Sequence, residues 1–265
     1  GSGLLGGALF LCNMPVFQQI FIAKPDMVAL AFAACGLAIF ERSNSRLGMI
    51  LAGSCFALGL LTKQSIGFAL LAALVAAYRR SPRDAFRLAI TVGAIGLVAL
   101  GLLYLIAGPA LFERLIIYNT RPWREDRLIS LDRKFLALHW LLIVPALGYT
   151  LWGLRQRIGS ALTYYPFAAM AVLFTVGAEG GARNYYIELC LAASLGAAMA
   201  VGTLLNAREW RWQPMSALTV GLVAVFVLRA YTVFVRDAYI PEPPVEEGAY
   251  RNWVLSVVDS TPDPI

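Results

Sequence analysis

Long apolar runs dominate this chain and restrict what it can fold into. A helix needs about 20 mostly apolar residues to cross a bilayer core of about 30 Å, and the sequence contains nine runs that approach this length. They predict an all-α fold, a polytopic transmembrane helical bundle. The predicted spans lie near 3–22, 27–41, 47–62, 65–78, 86–108, 135–154, 161–178, 185–205 and 215–235.

The composition agrees with this interpretation. Hydrophobic residues make up 59% of the chain and charged residues only 14%, whereas a soluble domain carries about 25% charged residues. A cytosolic enzyme and a disulfide-stapled secreted domain are therefore both excluded. The net charge of +6 is basic, but an excess of Lys and Arg is what the inside-facing loops of a membrane protein require. We accordingly expect membrane lipids as partners and no nucleic acid.

Basic residues in alternate loops predict the orientation. One set of loops should be cytoplasmic, with the first residues of the chain inside and the tail outside. The bases of this set are Arg42, Arg46, Arg79, Arg80, Arg83, Arg87, Arg155, Arg157, Arg208 and Arg211. The outer segment 109–134 opposes the rule with six bases of its own, and its first part has the periodicity of a short interfacial helix.

The last part of the sequence changes character. Residues 1–235 form the predicted transmembrane helical domain, and the tail 236–265 turns polar and rich in proline. We expect this tail to be the start of a truncated extracytoplasmic domain.

Polar residues gather at the outer edges of the predicted spans. Lys24 and Asp26 stand at the first outer turn, where two apolar helices meet with almost no loop. Ionisable groups at membrane depth are functional candidates. The alternative is that Lys24 extends its ammonium to the interface and that Asp26 caps the next helix.

The second outer turn, GLLTKQSIGFALL, places Lys63 and Gln64 between two apolar spans. An ammonium group among hydroxyl and amide donors suits a phosphate, whose oxygens accept several charge-assisted hydrogen bonds. A simple topological anchor is the alternative for Lys63.

The fourth outer turn carries Arg183, Asn184, Tyr185 and Glu188 beside a glycine-rich stretch. Tyrosine at a membrane boundary is commonly part of an aromatic belt. Glu188 lies about one turn into a span, where a carboxylate must find a cation, water or a substrate hydroxyl. Arg183 is its candidate partner.

Two further ionisable residues lie within predicted spans. His139 is the only histidine, so no His-based metal site is predicted, and we interpret it as a packed or hydrogen-bonded residue. Arg229 must have a partner that the sequence does not identify. The sequence has no Walker loop, dinucleotide fingerprint or nucleophile elbow, which argues against a nucleotide-driven pump.

Four segments together resemble a known group of proteins. They are KPDMVALAFAACGLAIFE, GLLTKQSIGFALL, NYYIELCLAA and YRNWVLSVVDSTPDPI. In their order and shared outer placement they resemble GT-C class glycosyltransferases, in particular the bacterial branch similar to dolichyl-phosphate-mannose protein mannosyltransferases and lipid A aminoarabinose transferases.

The resemblance implies an enzyme of the bacterial inner membrane. Such an enzyme moves a sugar from a polyprenyl-phosphate donor to a lipid, glycan or protein acceptor on the extracytoplasmic side, by an inverting displacement. It implies that Lys63 contacts the phosphate with Lys24 second and Gln64 nearby. Asp26 would be the catalytic residue that positions or polarises the acceptor or a metal, and Arg183, Asn184, Tyr185 and Glu188 would bind the sugar. No cofactor is fixed, and a divalent cation is compatible with this chemistry.

The sequence departs from the family in one respect. Family members carry an essential acidic residue in the first outer loop after their first span, and no such loop precedes Asp26 here. We therefore expect a fragment that lacks the main catalytic acid. Two other functions stay open: a transporter or flippase of a lipid-linked or anionic substrate, and a non-catalytic membrane scaffold. A transporter needs polar groups near the midplane, whereas the candidates here gather at the outer edge.

Overall fold

The computed structural model describes residues 2–11, 13, 16, 25–43, 45–115, 123–177 and 183–206, and most of these residues are helical. The helices, in chain order, are α1 (Ser2–Leu11), α2 (Pro25–Arg42), α3 (Arg46–Thr62), α4 (Phe68–Arg80), α5 (Pro82–Ala107), α6 (Ala110–Leu115), α7 (Glu125–Arg155), α8 (Ala161–Ala169) and α9 (Ile187–Asn206). Two 3-10 turns, Met170–Phe174 and Arg183–Tyr186, follow α8 and precede α9. No β-strand occurs in these residues.

Helices α2 and α3 form a closely packed antiparallel pair. A Cβ at Gly36 would lie 2.8 Å from the ring of Phe56, and one at Gly59 would lie 3.2 Å from the carbonyl oxygen of Ala29. Small residues let helix backbones approach one another, which is how membrane helices pack. The first residues of α2 and the last residues of α3 are thereby brought together.

Helix α9 lies at the centre of the bundle. Residues 187–194 are all buried, and α9 packs against α1, α7 and α8. Helix α4 turns a face of buried alanines toward α8 and α2, and these are Ala69, Ala72, Ala73, Ala76 and Ala77. Their spacing of three and four residues is that of one helix face.

Three helical segments are long and apolar enough to cross a membrane by length and composition: Pro82–Ala107, Leu128–Arg155 and Ile187–Leu204. The last two turns of α5 are exposed on every side, with Leu105 81% and Ile106 85% accessible. Leucine and isoleucine exposed all round a helix would be unfavourable in water, so this surface is typical of a helix that faces lipid.

The helices differ from the expected spans at several points. The expected sixth span, 135–154, is wrong at its start, because α7 begins ten residues earlier at Glu125 and takes up the second part of segment 109–134. The expected short helix at the start of segment 109–134 is present as α6, and its interfacial position stays a prediction. The expected span 161–178 becomes a short helix that contains Pro166, followed by a 3-10 turn, since proline removes one helical hydrogen bond.

The remaining expectations concern residues outside the described part. The ninth span at 215–235, Arg229 and the tail 236–265 all lie there, as does most of 12–24. Within the residues that the structure describes, three helices have the length and composition to cross a membrane, and the expected number of nine spans stays a prediction.

Candidate functional site

An ion pair joins the start of α2 to the end of α3. The ammonium of Lys63 contacts the carboxylate of Asp26, and Asp26 is buried. Lys63 directly follows α3 as its C-cap, and its backbone N–H donates to the carbonyl of Gly59 over 2.9 Å. The two charges therefore meet at one end of the helix pair, which we call the polar end.

The local sequence explains why these charges are tolerated at the polar end. Proline is favoured in the first turn of a helix, and Pro25 begins α2 with Asp26 directly after it. A carboxylate is stabilised near a helix N-terminus and an ammonium near a C-terminus. Because α2 and α3 are antiparallel, Asp26 and Lys63 each complement their own helix dipole as well as each other.

An aromatic ring from the far part of the chain covers the ion pair. The Nζ atom of Lys63 lies 5.3 Å from the centroid of the Tyr185 ring, within the range of a cation–π interaction. Tyr185 belongs to the 3-10 turn Arg183–Tyr186 that leads into α9. The first turn of α9 is thus held against the connection between α3 and α4.

Glu188, in the first turn of α9, reaches the start of α4. Its Oε1 accepts a hydrogen bond from the backbone N–H of Ala69 over 2.8 Å. The residue that precedes α4 is Gly67, which has no side chain to cap the helix. Glu188 therefore supplies from another helix the acceptor that a Ser or Asp usually supplies locally.

One oxygen of Glu188 is left over. Oε2 is buried and accepts no hydrogen bond of standard geometry among the residues that the structure describes, although the Tyr165 hydroxyl and the backbone N–H groups of Gly67 and Phe68 lie near the carboxylate. Burial of an unpaired polar atom costs about 1–3 kcal/mol. A group that donates a hydrogen bond to Oε2, such as a sugar hydroxyl, would recover that energy.

The structure brings four of the predicted residues together as a polar cluster, which we define as Asp26, Lys63, Tyr185 and Glu188. All four lie around residues 63–69, which connect α3 to α4 and begin α4.

The other predicted residues are placed less completely. Gln64 is exposed in the turn after Lys63. The backbones of Arg183 and Asn184 lie in the 3-10 turn next to Tyr185, and their side chains, like Lys24, lie outside what the structure describes. The described neighbours of Glu188 are Tyr165 and the N–H groups of residues 67–69, and its predicted pairing with Arg183 stays a prediction.

Asp132 also lies beside this region, and the sequence did not indicate it as a candidate residue. The hydroxyl of Tyr186 donates to Oδ1 of Asp132 on α7 over 2.6 Å, and the rings of Tyr186 and Phe135 stack with their centroids 4.1 Å apart. His139 continues the stack on Phe135, as a buried residue whose Nδ1 lies 3.0 Å from the Phe135 carbonyl oxygen. The spacing of Asp132, Phe135 and His139 marks one helix face and could have revealed this arrangement.

The described residues hold no group of three or more His, Cys, Asp and Glu side chains that could bind a metal ion. Comparisons with family models, with curated proteins and with solved structures find no match for this chain.

Proposed function

We propose that this chain is part of a membrane glycosyltransferase that moves a sugar from a polyprenyl-phosphate donor to an acceptor hydroxyl on the extracytoplasmic face. The observation that carries the proposal is the convergence of Asp26, Lys63, Tyr185 and Glu188, from three distant parts of the sequence, at one end of an apolar helical bundle. A cation, two carboxylates and an aromatic ring at a membrane boundary fit a ligand with a phosphate and a sugar.

Lys63 is the proposed phosphate contact. An ammonium group has three donors, so Lys63 can keep Asp26 as a neighbour while it donates to phosphate oxygens. In the displacement, the bond between the anomeric carbon and the phosphate oxygen breaks, and negative charge grows on that oxygen. A cation fixed beside it stabilises the transition state more than the ground state.

Asp26 is the proposed acceptor contact. The acceptor oxygen forms the new bond to the anomeric carbon, and its proton must pass to a base. In the resting structure Lys63 neutralises Asp26. When a phosphate draws on the charge of Lys63, the carboxylate of Asp26 becomes a better hydrogen-bond acceptor for the acceptor hydroxyl.

Glu188 and Tyr185 are the proposed sugar contacts. The Oε2 of Glu188, which accepts no hydrogen bond of standard geometry, suits a sugar hydroxyl, and the partly buried ring of Tyr185 offers an apolar face for a sugar ring. Arg183, Asn184 and Gln64 belong to the two backbone segments that border the polar cluster, so they are the proposed rim of the site. Lys24 is kept as a second phosphate contact because it directly precedes the start of α2.

We further propose nine spans in the bacterial inner membrane, with the first residues cytoplasmic and the tail outside. The alternation of helix directions supports this topology. Asp26, Lys63, Tyr185 and Glu188 share one end of the bundle, and the loops rich in arginine share the other. The positive-inside rule then makes the polar end extracytoplasmic.

Binding of polyprenyl phosphate to the protein in lipid nanodiscs tests the phosphate contact. We expect Lys63→Ala to weaken binding by at least about tenfold, since a charge-assisted hydrogen bond to phosphate contributes about 1.5–3 kcal/mol. Glycosyl transfer from a polyprenyl-phosphate sugar should fall further, because Lys63 also stabilises the leaving phosphate.

The matched control is Lys134→Ala, which removes an exposed lysine on α7 outside the polar cluster. It should bind polyprenyl phosphate like the unmodified protein. If the Lys63→Ala variant binds as tightly as the unmodified protein, Lys63 is not part of the site. If Lys63→Ala and Lys134→Ala lose affinity equally, the loss is a general effect of charge.

A further inference from the structure

Three connections meet at the end of the bundle opposite the polar cluster. They are the α2–α3 turn, Ser81 between α4 and α5, and residues 156–160 between α7 and α8. The Nε of Arg80 donates to the carbonyl of Gly159 over 2.8 Å, and the hydroxyl of Ser160 donates to Glu41 over 2.9 Å, so the three connections are in contact. We call this region the arginine end.

The positive charge of the arginine end comes from arginine side chains. Among the described residues, the bases here are Arg42, Arg46, Arg79, Arg80, Arg83, Arg87, Arg155 and Arg157. Glu41 pairs with Arg80, and Asp84 pairs with Arg87. The six other arginines are exposed and form no ion pair with any residue that the structure describes.

A ring of exposed apolar and aromatic side chains borders these guanidinium groups. Tyr78 precedes Arg79, while Phe86 and Trp152 lie one turn from Arg83 and Arg155, and all three rings are exposed. Aromatic side chains are enriched where a helix passes from hydrocarbon to headgroups. The arginine end therefore presents cations directly above a surface that suits acyl chains.

Arg80 gives this surface a fixed point. It is held by Gly159, by Glu41 and by the ring of Phe40, whose centroid lies 4.7 Å from the guanidinium carbon. The exposed arginines project from helix ends that Arg80 ties together. The backbones that carry them are therefore held in fixed relative positions, which lowers the entropic cost of binding a charged surface.

We propose that the arginine end binds the headgroups of anionic phospholipids of the phosphatidylglycerol type. The guanidinium fork pairs with two phosphate oxygens at once, which a lysine ammonium does not do. A zwitterionic lipid brings its own ammonium group and should compete poorly. This site is separate from the polar cluster and does not depend on the proposed glycosyl transfer.

Spin-labelled lipids test the proposal directly. The protein is reconstituted in phosphatidylcholine vesicles that contain a trace of spin-labelled phosphatidylglycerol or phosphatidylcholine, and the motionally restricted fraction of each label is measured. We expect a preference of about fivefold for phosphatidylglycerol, lower at high salt, because anionic headgroups attract exposed arginines. Equal restriction of the two labels, or a preference that salt does not change, would overturn the proposal.

Two triple variants locate the effect. The first variant combines Arg79→Gln, Arg83→Gln and Arg155→Gln. It should abolish the preference for phosphatidylglycerol and leave the restriction of phosphatidylcholine and the helix content unchanged. Arg124→Gln with Arg133→Gln and Lys134→Gln removes the same charge from exposed residues near the start of α7 and should keep the preference. If both variants lose it equally, the arginine end has no special role. The salt dependence of the unmodified protein tests the proposal even if a variant fails to fold.

Discussion

Two glutamates at opposite ends of the bundle do the same structural task in different surroundings. At the arginine end, Glu41 accepts a hydrogen bond from the backbone N–H of Ala161 and so caps α8 from a neighbouring helix. At the polar end, Glu188 accepts from the N–H of Ala69 and so caps α4 in the same way. Each carboxylate joins two helices that are more than a hundred residues apart in sequence.

The surroundings separate the two. Glu41 is partly exposed and uses both of its oxygens, Oε1 with Ser160 and Ala161 and Oε2 with Arg80. Glu188 is buried, and its Oε2 accepts no hydrogen bond of standard geometry in the described part of the chain, although Tyr165 and the N–H groups of Gly67 and Phe68 lie nearby. Capping a helix requires only one acceptor, so the capping role alone does not account for the buried spare oxygen of Glu188. This difference makes the polar end the better candidate for a binding site.

The ion pairs at the two ends also differ in exposure, and the pair at the polar end is the more buried. Lys63 and Asp26 retain 19% and 5% of their side-chain exposure, whereas Arg80 and Glu41 retain 28% and 21%. Buried charges depend strongly on their partners, and exposed pairs contribute little to stability. The polar end should therefore be the more sensitive of the two to removal of one charge.

The largest effect is expected for Asp26→Ala, which leaves Lys63 without its carboxylate. Breaking a fully buried pair costs about 3–5 kcal/mol, and the partial exposure of Lys63 reduces our expectation to about 2–3 kcal/mol. Unfolding in mixed micelles by titration with sodium dodecyl sulfate, followed by circular dichroism, measures this loss.

A double variant isolates the pair from other effects. Asp26→Ala combined with Lys63→Met removes both charges and should recover part of the stability, which gives a coupling energy from the double-mutant cycle. If the stability losses of the two single variants simply add in the double variant, Asp26 and Lys63 do not stabilise each other, and the polar end is not the more sensitive of the two ends.

A smaller effect is expected for Glu188. Glu188→Ala removes the cap of α4 and should cost about 1–2 kcal/mol in the same titration. Glu188→Gln keeps a carbonyl oxygen that can accept from Ala69, so its stability should stay within about 0.5 kcal/mol of the unmodified protein.

The glutamine variant also distinguishes structure from binding. If the spare oxygen of Glu188 binds substrate as a carboxylate, Glu188→Gln should lose transfer activity while its stability is kept. Glu41→Gln is the matched control at the arginine end and should leave transfer unchanged. Full activity of the Glu188→Gln protein would leave that residue with a structural role alone.

The residues of the polar end could be predicted from the sequence because the lengths of the apolar runs fix where the chain reverses direction. The sequence predicts that the turns on one side of the membrane hold Asp26, Lys63, Tyr185 and Glu188. A chain that crosses back and forth must gather such turns at one end, and the structure brings these four residues together. The helical character of seven predicted spans, and of the first half of span 3–22, follows from the same runs of apolar residues.

The partners within that end could not be predicted. Glu188 contacts Ala69 and Tyr186 contacts Asp132, across separations of 119 and 54 residues, and only packing decides such pairs. The predicted sixth span begins too late, because the six bases of segment 109–134 favour a segment outside the membrane. Acidic residues in fact suit the first turn of a helix, where they complement the dipole.

The smallest effect is expected at the arginine end, for Arg80→Gln. Its pair with Glu41 is partly exposed, with a nitrogen–oxygen distance of 3.4 Å, and such pairs contribute about 0.2–1 kcal/mol. Glutamine keeps a donor for Gly159, so the connection between α7 and α8 should remain in place. Stability in the detergent titration should fall by no more than about 1 kcal/mol. A loss of stability as large as that of Asp26→Ala would show that the two ends are equally sensitive to removal of a charge. The distinction between a binding end and a structural end would then rest on the Oε2 atom of Glu188 alone.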